Sequence, residues 1–305
     1  MKASDKKTHL VTSISTLMER IAQPKPLHPL IALVNYSNLA VNLADAGTSF
    51  IINFYKISFK RKFQGQVRYG QGYYDFDEGG LAFLAPNQLV TMSGEESSYE
   101  GYSLYFHPDL IRHYPLGNTI NKYGFFSYAV SEALFLSEKE KSIVTDLFDS
   151  IASELATNID SFSQDIIVSQ IELLLNYCNR FYNRQFITRK AIYNDLIAKL
   201  DAYLSTRLNG QNASLSGLPS VRELSDYLAV SPRYLTDMLK SLTGQSTQQF
   251  IHNKLIEKAK DMLSTSSLSI AEIAYELGFE HPQSFNKLFK QKTNVSPVEF
   301  RQSFN

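Results

Sequence analysis

The chain has one cysteine, no net charge, no long apolar run and no cluster of histidines, and each shortage excludes something. A single cysteine, Cys178, cannot close an internal disulfide, which fits a reducing compartment. Leu174 and Phe181 flank it at helical spacing and mark it as a small buried apolar residue rather than a reactive thiol. Thirty lysines and arginines balance thirty aspartates and glutamates, which excludes a protein that coats nucleic acid indiscriminately but leaves room for a local basic face. No stretch reaches the roughly 18 consecutive apolar residues of a membrane span. No apolar segment follows Lys2, Lys6 and Lys7, so a signal peptide is not expected and the location is read as cytoplasmic. The histidines, His9, His28, His107, His113, His252 and His281, are scattered without the spacing of a metal-binding set, so no metal and no cofactor is expected.

What is present is a repeat. The segment VRELSDYLAVSPRYLTDMLKSLTGQSTQQFI, from Val221, returns as IAEIAYELGFEHPQSFNKLFKQKTNVSPVEFR, ending at Arg301. Glu223 aligns with Glu272 at one spacing, whereas Pro232 aligns with Pro282 and Phe250 with Phe300 one residue further along, so the register slips inside each unit. An insertion is tolerated at a turn, and the slip therefore marks one. On either side, apolar residues fall at helical spacing: Val221, Leu224 and Leu228, then Leu235, Met238, Leu239 and Leu242. Ser220 with Glu223, Ser246 with Gln249, and Ser269 with Glu272 fit the capping box, in which a serine oxygen and a carboxylate or amide satisfy orphan amide donors. Ser231 suits an N-cap and Pro232 the first helical position. Helix, tight turn, helix is the pattern of a helix-turn-helix, with second helices over Pro232 to Thr243 and Pro282 to Thr293.

These residues carry a resemblance. The run SIAEIAYELGFEHPQSFNKLFKQKTNVSPVEFR resembles the C-terminal signature of the AraC/XylS family of bacterial transcription regulators, with Ala274, Gly278, Phe279, Phe285, Phe289, Pro297 and Arg301 at the family's places. Asn294 stands where the family usually has glycine, and asparagine tolerates the left-handed backbone of a helix C-cap. The resemblance spans about 192 to 304. It implies base-reading residues at Arg233, Thr236 and Asp237 in the first unit and at Gln283, Asn286 and Lys287 in the second, with Lys240 and Lys290 on phosphate. Between 219 and 305 ten bases face nine acids, so placement must do what total charge does not.

A chain of 305 residues has length for two domains, since single cores stop growing near about 250–300 residues. The boundary is read at 190/191, next to the basic NRFYNRQFITRK. Leu10 to Ala22 reads as a short helical arm with Leu10, Ile14, Leu17 and Ile21 on one face, ended by Pro24, Pro26 and Pro29. From Thr48 to Phe106, aromatic and β-branched runs alternate with turn residues, which argues for an antiparallel sandwich or barrel. The turn DFDEGG joins two of these runs. YYDFDEGGLAFLAPNQLV resembles the cupin-like barrel that precedes the DNA-binding part in the same family, so the expected class is α+β, an antiparallel cupin-like β-barrel followed by helices and an all-α domain with two helix-turn-helix units. Tyr36, Phe54, Tyr69, Tyr73 and Tyr105 are the candidate ligand-binding wall; the alternative is that they fill the barrel core. Two amphipathic helices follow, about 138–158, opened by the pair Ser137 and Glu140, and about 164–181. They have more apolar face than a small barrel covers, so they form either a dimer contact or an intramolecular bundle.

The implied function is a sequence-specific DNA-binding transcription regulator controlled by a small-molecule effector, and not an enzyme. Its partners would be double-stranded promoter DNA, the effector, a second copy of the chain and RNA polymerase, with no membrane. The alternative is a cupin-type enzyme with an appended DNA-binding domain, though the chain shows no nucleophile elbow and no phosphate-binding glycine loop.

Overall fold

The computed structural model describes residues 8–38, 49–64, 66–69, 72–75, 79–91, 98–157, 160–209 and 217–304. The chain divides into two compact units, Met1–Gln185 and Phe186–Asn305.

The first unit opens with β1 (Thr8–Val11), α1 (Ile14–Arg20), β2 (Ile31–Asn35) and β3 (Ser49–Ile52). β4 (Tyr55–Gln64), β5 (Gln66–Tyr69), β6 (Gly72–Asp75), β7 (Gly80–Leu84), β8 (Gln88–Thr91) and β9 (Ser98–Phe106) follow. Then come α2 (Pro108–Ile111), α3 (Pro115–Thr119), β10 (Leu134–Phe135), α4 (Glu138–Ala156) and α5 (Ser163–Thr188). The main sheet is antiparallel in the order β10-β7-β4-β9-β2, beside a three-stranded sheet β1-β3-β8 and the hairpin β5-β6. The described strands and helices give the α+β class expected, an antiparallel sheet followed by helices; among the described strands no ladder joins the β2 or β10 edge to the smaller sheets. Part of the DFDEGG turn lies outside the described residues.

Side chains alternate along β4, and the two faces of the main sheet have different fates. Ile57 and Phe59 are fully buried on the outer face, where Phe59 stacks on Phe148 of α4 at 5.8 Å between ring centroids. Phe83 of β7 likewise meets Phe125, Phe126 and Tyr182. Each such buried aromatic contributes about 1.5–3 kcal/mol by leaving water. This face corrects the helix expectation. Ile171, Leu174, Leu175 and Cys178 of α5 are all fully buried inside the unit, so the apolar face that suggested a dimer contact is already covered. Burial also pushes the Cys178 thiol up.

The N-terminal segment is corrected too. Leu10 sits in β1, which pairs in parallel with β3, and is exposed; Val11, Ile14, Leu17 and Met18 instead enter a core cluster with Ala32, Val34, Ile52, Phe54 and Tyr105. The segment is a structural plug and not an arm.

The second unit is helical: α6 (Lys190–Asn209), α7 (Val221–Leu228), α8 (Pro232–Thr243), α9 (Thr247–Thr265), α10 (Ile270–Glu276), α11 (Pro282–Thr293) and α12 (Pro297–Gln302). Every expected capping box forms, and Ser296 with Glu299 makes a further one at the start of α12. α9 is the spine of the unit. It buries Ile251, Leu255, Ile256, Ala259 and Leu263 and touches α6, α8, α10, α11 and α12, which places one helix-turn-helix at each end of a rod of 19 residues, about 28 Å long at about 1.5 Å per residue.

Candidate nucleic-acid interface

The first reading helix, α8, starts at Ser231, whose side-chain oxygen accepts from the Tyr234 N–H at 3.3 Å, with Pro232 in the first turn. Tyr234, Leu235, Met238 and Leu239 turn inward. Tyr234 is fixed by a 2.9 Å hydroxyl contact with Tyr193 of α6 and by the edge of Phe186. Positions 233, 236, 237 and 240 follow the spacing of one helical face away from this core. Arg233 does not stand alone on that face, because its Nε donates to Asp237 Oδ2 at 2.9 Å, one turn along the helix. Thr236 is drawn to the edge of the face by Thr247, the buried first residue of α9, with 3.0 Å between hydroxyls. Lys240 is exposed in the last turn.

The second reading helix, α11, buries Phe285 and Phe289 completely and leaves Gln283, Asn286, Lys287 and Lys290 exposed at the same spacing. No carboxylate lies within ion-pair distance of Lys287 or Lys290 among the described residues. Lys290 and Lys292 occupy the last turn, where positive charge meets the negative end of the helix dipole. The N-cap, His281, makes no side-chain bond to the first-turn amides. Pro282 has no N–H and the Ser284 N–H donates to the His281 carbonyl at 3.0 Å, so the backbone itself closes much of this first turn.

The turns position these helices. In the first unit Ala229 adopts left-handed backbone with φ of 56°, and in the second Gly278 does so with φ of 89°. Each is followed by an amide that reaches back, Val230 to the Ser225 carbonyl and Phe279 to the Ala274 carbonyl, both at 3.0 Å. From these residues to the N-caps Ser231 and His281 the second unit has one residue more, Glu280, which locates the register slip. A Cβ on Gly278 would stand 2.5 Å from the Gly217 carbonyl oxygen, so glycine is required there twice over. Arg207 holds the same loop by donating to the Gly217 carbonyl at 3.0 Å and to Glu223 at 3.1 Å.

In the first unit, Phe54 is fully buried and meets the Tyr105 ring edge-on at 6.1 Å, both within the core cluster. Tyr36 is set apart from them, its hydroxyl donating to Ser58 Oγ at 3.1 Å. The side chains of Tyr69 and Tyr73 lie outside the described residues. A groove of about 630 Å³ runs along β2, with His28, Asn35, Tyr102 and Leu155 in its lining, and none of the five expected wall residues lines it. No described helix is long and apolar enough to cross a membrane.

The Arg233–Asp237 pair was legible as an i, i+4 spacing; the Thr236 and Tyr193 contacts join distant elements and left no local signal.

The chain is 28% identical over 144 residues to the uncharacterized HTH-type transcriptional regulator YfiF of Bacillus subtilis, covering 47% of this chain and 42% of the relative. It is 28% identical over 140 residues to the HTH-type transcriptional activator RhaS of Escherichia coli, covering 46% of each chain. The chain thus spans less than half the length of these curated relatives. Among solved structures it is similar to the C-terminal domain of AraT, a response regulator from Geobacillus stearothermophilus, at 27% identity over 35% of this chain and 84% of that one, with a TM-score of 0.31. Residues 54–170 match the model of an AraC-like ligand binding domain, which takes in the main sheet, α4 and the start of α5. Residues 224–303 match a helix-turn-helix domain model that contains both reading helices. With both halves matched in this order, the chain belongs to the AraC/XylS family of transcription regulators.

Proposed function

We propose that the chain is a sequence-specific DNA-binding transcription regulator, acting in the cytoplasm without enzymatic activity, whose first unit takes a small-molecule effector. The observation that carries this reading is the pair of reading helices, matched in length and start and each offering four side chains at 233, 236, 237 and 240 or at 283, 286, 287 and 290. Asn286 or Gln283 matches the N6 and N7 edge of adenine, Lys287 or Arg233 the O6 and N7 edge of guanine, and Asp237 the amino group of cytosine. Lys240 and Lys290 serve phosphate and fix the register. A rod of about 28 Å, with the heads at its ends, approaches the about 34 Å of one turn of B-DNA.

Dimerisation belongs to the same proposal with a different face from the one first expected. Phe162, just before α5, and Ile166 and Leu173 along it are exposed, and they, not Ile171 and Leu175, are the residues a second copy would cover. RNA polymerase is the further partner. The test is to map genomic binding sites of the intact protein and measure affinity for the recovered sequences against scrambled ones. Tighter binding to the recovered sites by at least about a thousandfold, the lower range for specific readers, supports the reading; equal affinity for both contradicts it.

A further inference from the structure

β2 is the outermost strand of the main sheet, beyond β9, and nothing in its sequence protects that position. Edge strands are ordinarily blunted by proline, by charge or by a bulge, because their free amides and carbonyls invite a further strand. β2 has none of the three: it reads IALVN and pairs with β9 in unbroken register. The ladder also fixes which backbone groups are left over. The His107 N–H donates to the Leu30 carbonyl at 2.8 Å, so residues 30, 32 and 34 bond to β9, and Leu33 turns its N–H and C=O away from it. Neither of these Leu33 groups meets a partner among the described residues. The groove of about 630 Å³ lies at this free edge. Successive strand residues point to opposite faces, yet all of β2 lines the groove, together with Met18 from one face and Tyr102 from the other.

We propose that this edge receives an extended segment of a partner protein, apolar and carrying a carboxylate, which pairs with β2 as a further strand of the main sheet. Main-chain hydrogen bonds to the edge would hold such a segment, and the groove walls would read its side chains. The far wall is built to leave room for it. Gln23 Nε2 donates to the Asn38 carbonyl at 2.9 Å beyond one end of β2, and His28 bridges Ile31 at the other, so residues 23–28 run the length of the strand. Between these ties Pro24 and Pro26 have no N–H, so this wall cannot complete the ladder itself. The strand sets the length of the occupant at about five residues, about 16 Å at about 3.3 Å each.

Charge selects among occupants. The described lining contains Lys25 and neither aspartate nor glutamate. His28 adds a neutral donor: burial lowers its pKa, and its Nδ1 accepts from the Leu30 N–H at 3.1 Å, which leaves the proton on Nε2. A second copy of β2 laid along this edge would bring no charge to answer Lys25 and would add another lysine, whereas a carboxylate on an incoming strand pairs with it. The site is independent of the effector reading and of the reading helices.

The experiment is fluorescence anisotropy on the full chain with labelled peptides of about five residues, the span of β2. One alternates valine with glutamate, a second valine with lysine, and a third is the glutamate peptide with its amides N-methylated. The glutamate peptide should bind with a Kd below about 1 mM, the lysine peptide at least about tenfold more weakly, and the methylated peptide not measurably. Leu33→Pro removes the outward N–H without touching the β9 ladder, a place where an edge strand accepts proline, and should abolish binding. Lys25→Glu, at an exposed position, should weaken the glutamate peptide at least about tenfold and strengthen the lysine peptide, and it keeps the test open should Leu33→Pro fold poorly. No binding of the glutamate peptide at several millimolar overturns the site, as does unchanged affinity in both variants. Binding by the methylated peptide equal to that of its parent overturns strand addition, and equal affinity for the glutamate and lysine peptides overturns the charge class. A parent chain that sediments as a dimer and becomes monomeric in Leu33→Pro would place a second copy on the edge and overturn the partner segment.

Discussion

The two helix-turn-helix units reach the same geometry with opposite residue choices. After its first helix the first unit passes through left-handed backbone at Ala229 and the second at Gly278; after the reading helix the first uses Gly244 and the second Asn294. The reason lies in what surrounds each position. The Gly217 carbonyl presses on Gly278 and forbids a side chain, whereas Ala229 is exposed and carries only its own backbone strain. The reading faces diverge more. Arg233 is tied to Asp237 on α8, while α11 has Lys287, Lys290 and Lys292 and no acid. Repetition preserved the fold, and the surface split into a head that is partly neutralised and a head that grips.

The sharpest break of this comparison is Gly278→Ala. An alanine in left-handed backbone costs about 1–3 kcal/mol, and the clash with the Gly217 oxygen should bring the loss to about 3 kcal/mol or more in urea denaturation of the full chain. Next comes Asn286→Ala, expected to cost about 1–3 kcal/mol of binding at one base pair and to relax preference there, while Lys287→Ala, if it serves phosphate, weakens all sequences alike. A series of operator variants at fixed salt separates them; a uniform loss from Asn286→Ala would remove α11 from the major groove. Ala229→Gly should act in the opposite direction to Gly278→Ala and stabilise by up to about 1 kcal/mol, since it relieves the strain but adds glycine's entropy.

The smallest effect is one of pH. The Ser269 N–H donates to Glu272 at 2.7 Å, and the Ser296 N–H to Glu299 at 2.7 Å, holding both carboxyls below the usual glutamate range. A depressed folded pKa means the stabilisation is present above the ordinary glutamate value and fades as pH falls through the lowered one. Both acids lie in the second unit, so acid titration of Glu272→Gln and Glu299→Gln should show a shallower loss of helix signal than the parent; an identical curve would contradict the capping account.

Sequence signals fixed to one element were legible, and those that depend on what covers an element were not. Serine before proline at 231 and 232, with Gly244 and Asn294 at the other ends, marks the reading helices because capping chemistry is local. The register slip likewise predicts an insertion that the structure finds at Glu280. By contrast, the apolar stripe of α5 was visible but its partner was not, and Ile171 and Leu175 are covered within their own unit. Four residues, Thr8–Val11, are too few to show period two, and their parallel pairing with β3 is non-local, so the segment read as the start of a helix. Of the candidate site, Gln283, Asn286, Lys287 and Lys290 came from the family resemblance, and in the structure all four are exposed on α11; the diversion of Thr236 to Thr247 needed the tertiary structure.

The central claim is that the second head carries the larger share of phosphate-led grip. The direct measurement is the slope of log K against log salt on one mapped site for the parent, for Lys287→Ala with Lys290→Ala, and for Arg233→Ala with Lys240→Ala. With Lys287 on phosphate rather than guanine, the α11 pair should flatten the slope by up to about 1.8, at about 0.9 for each phosphate contact, and the α8 pair by clearly less, because Asp237 already neutralises Arg233. Equal flattening by the two pairs, or a larger effect from the α8 pair, would contradict the account.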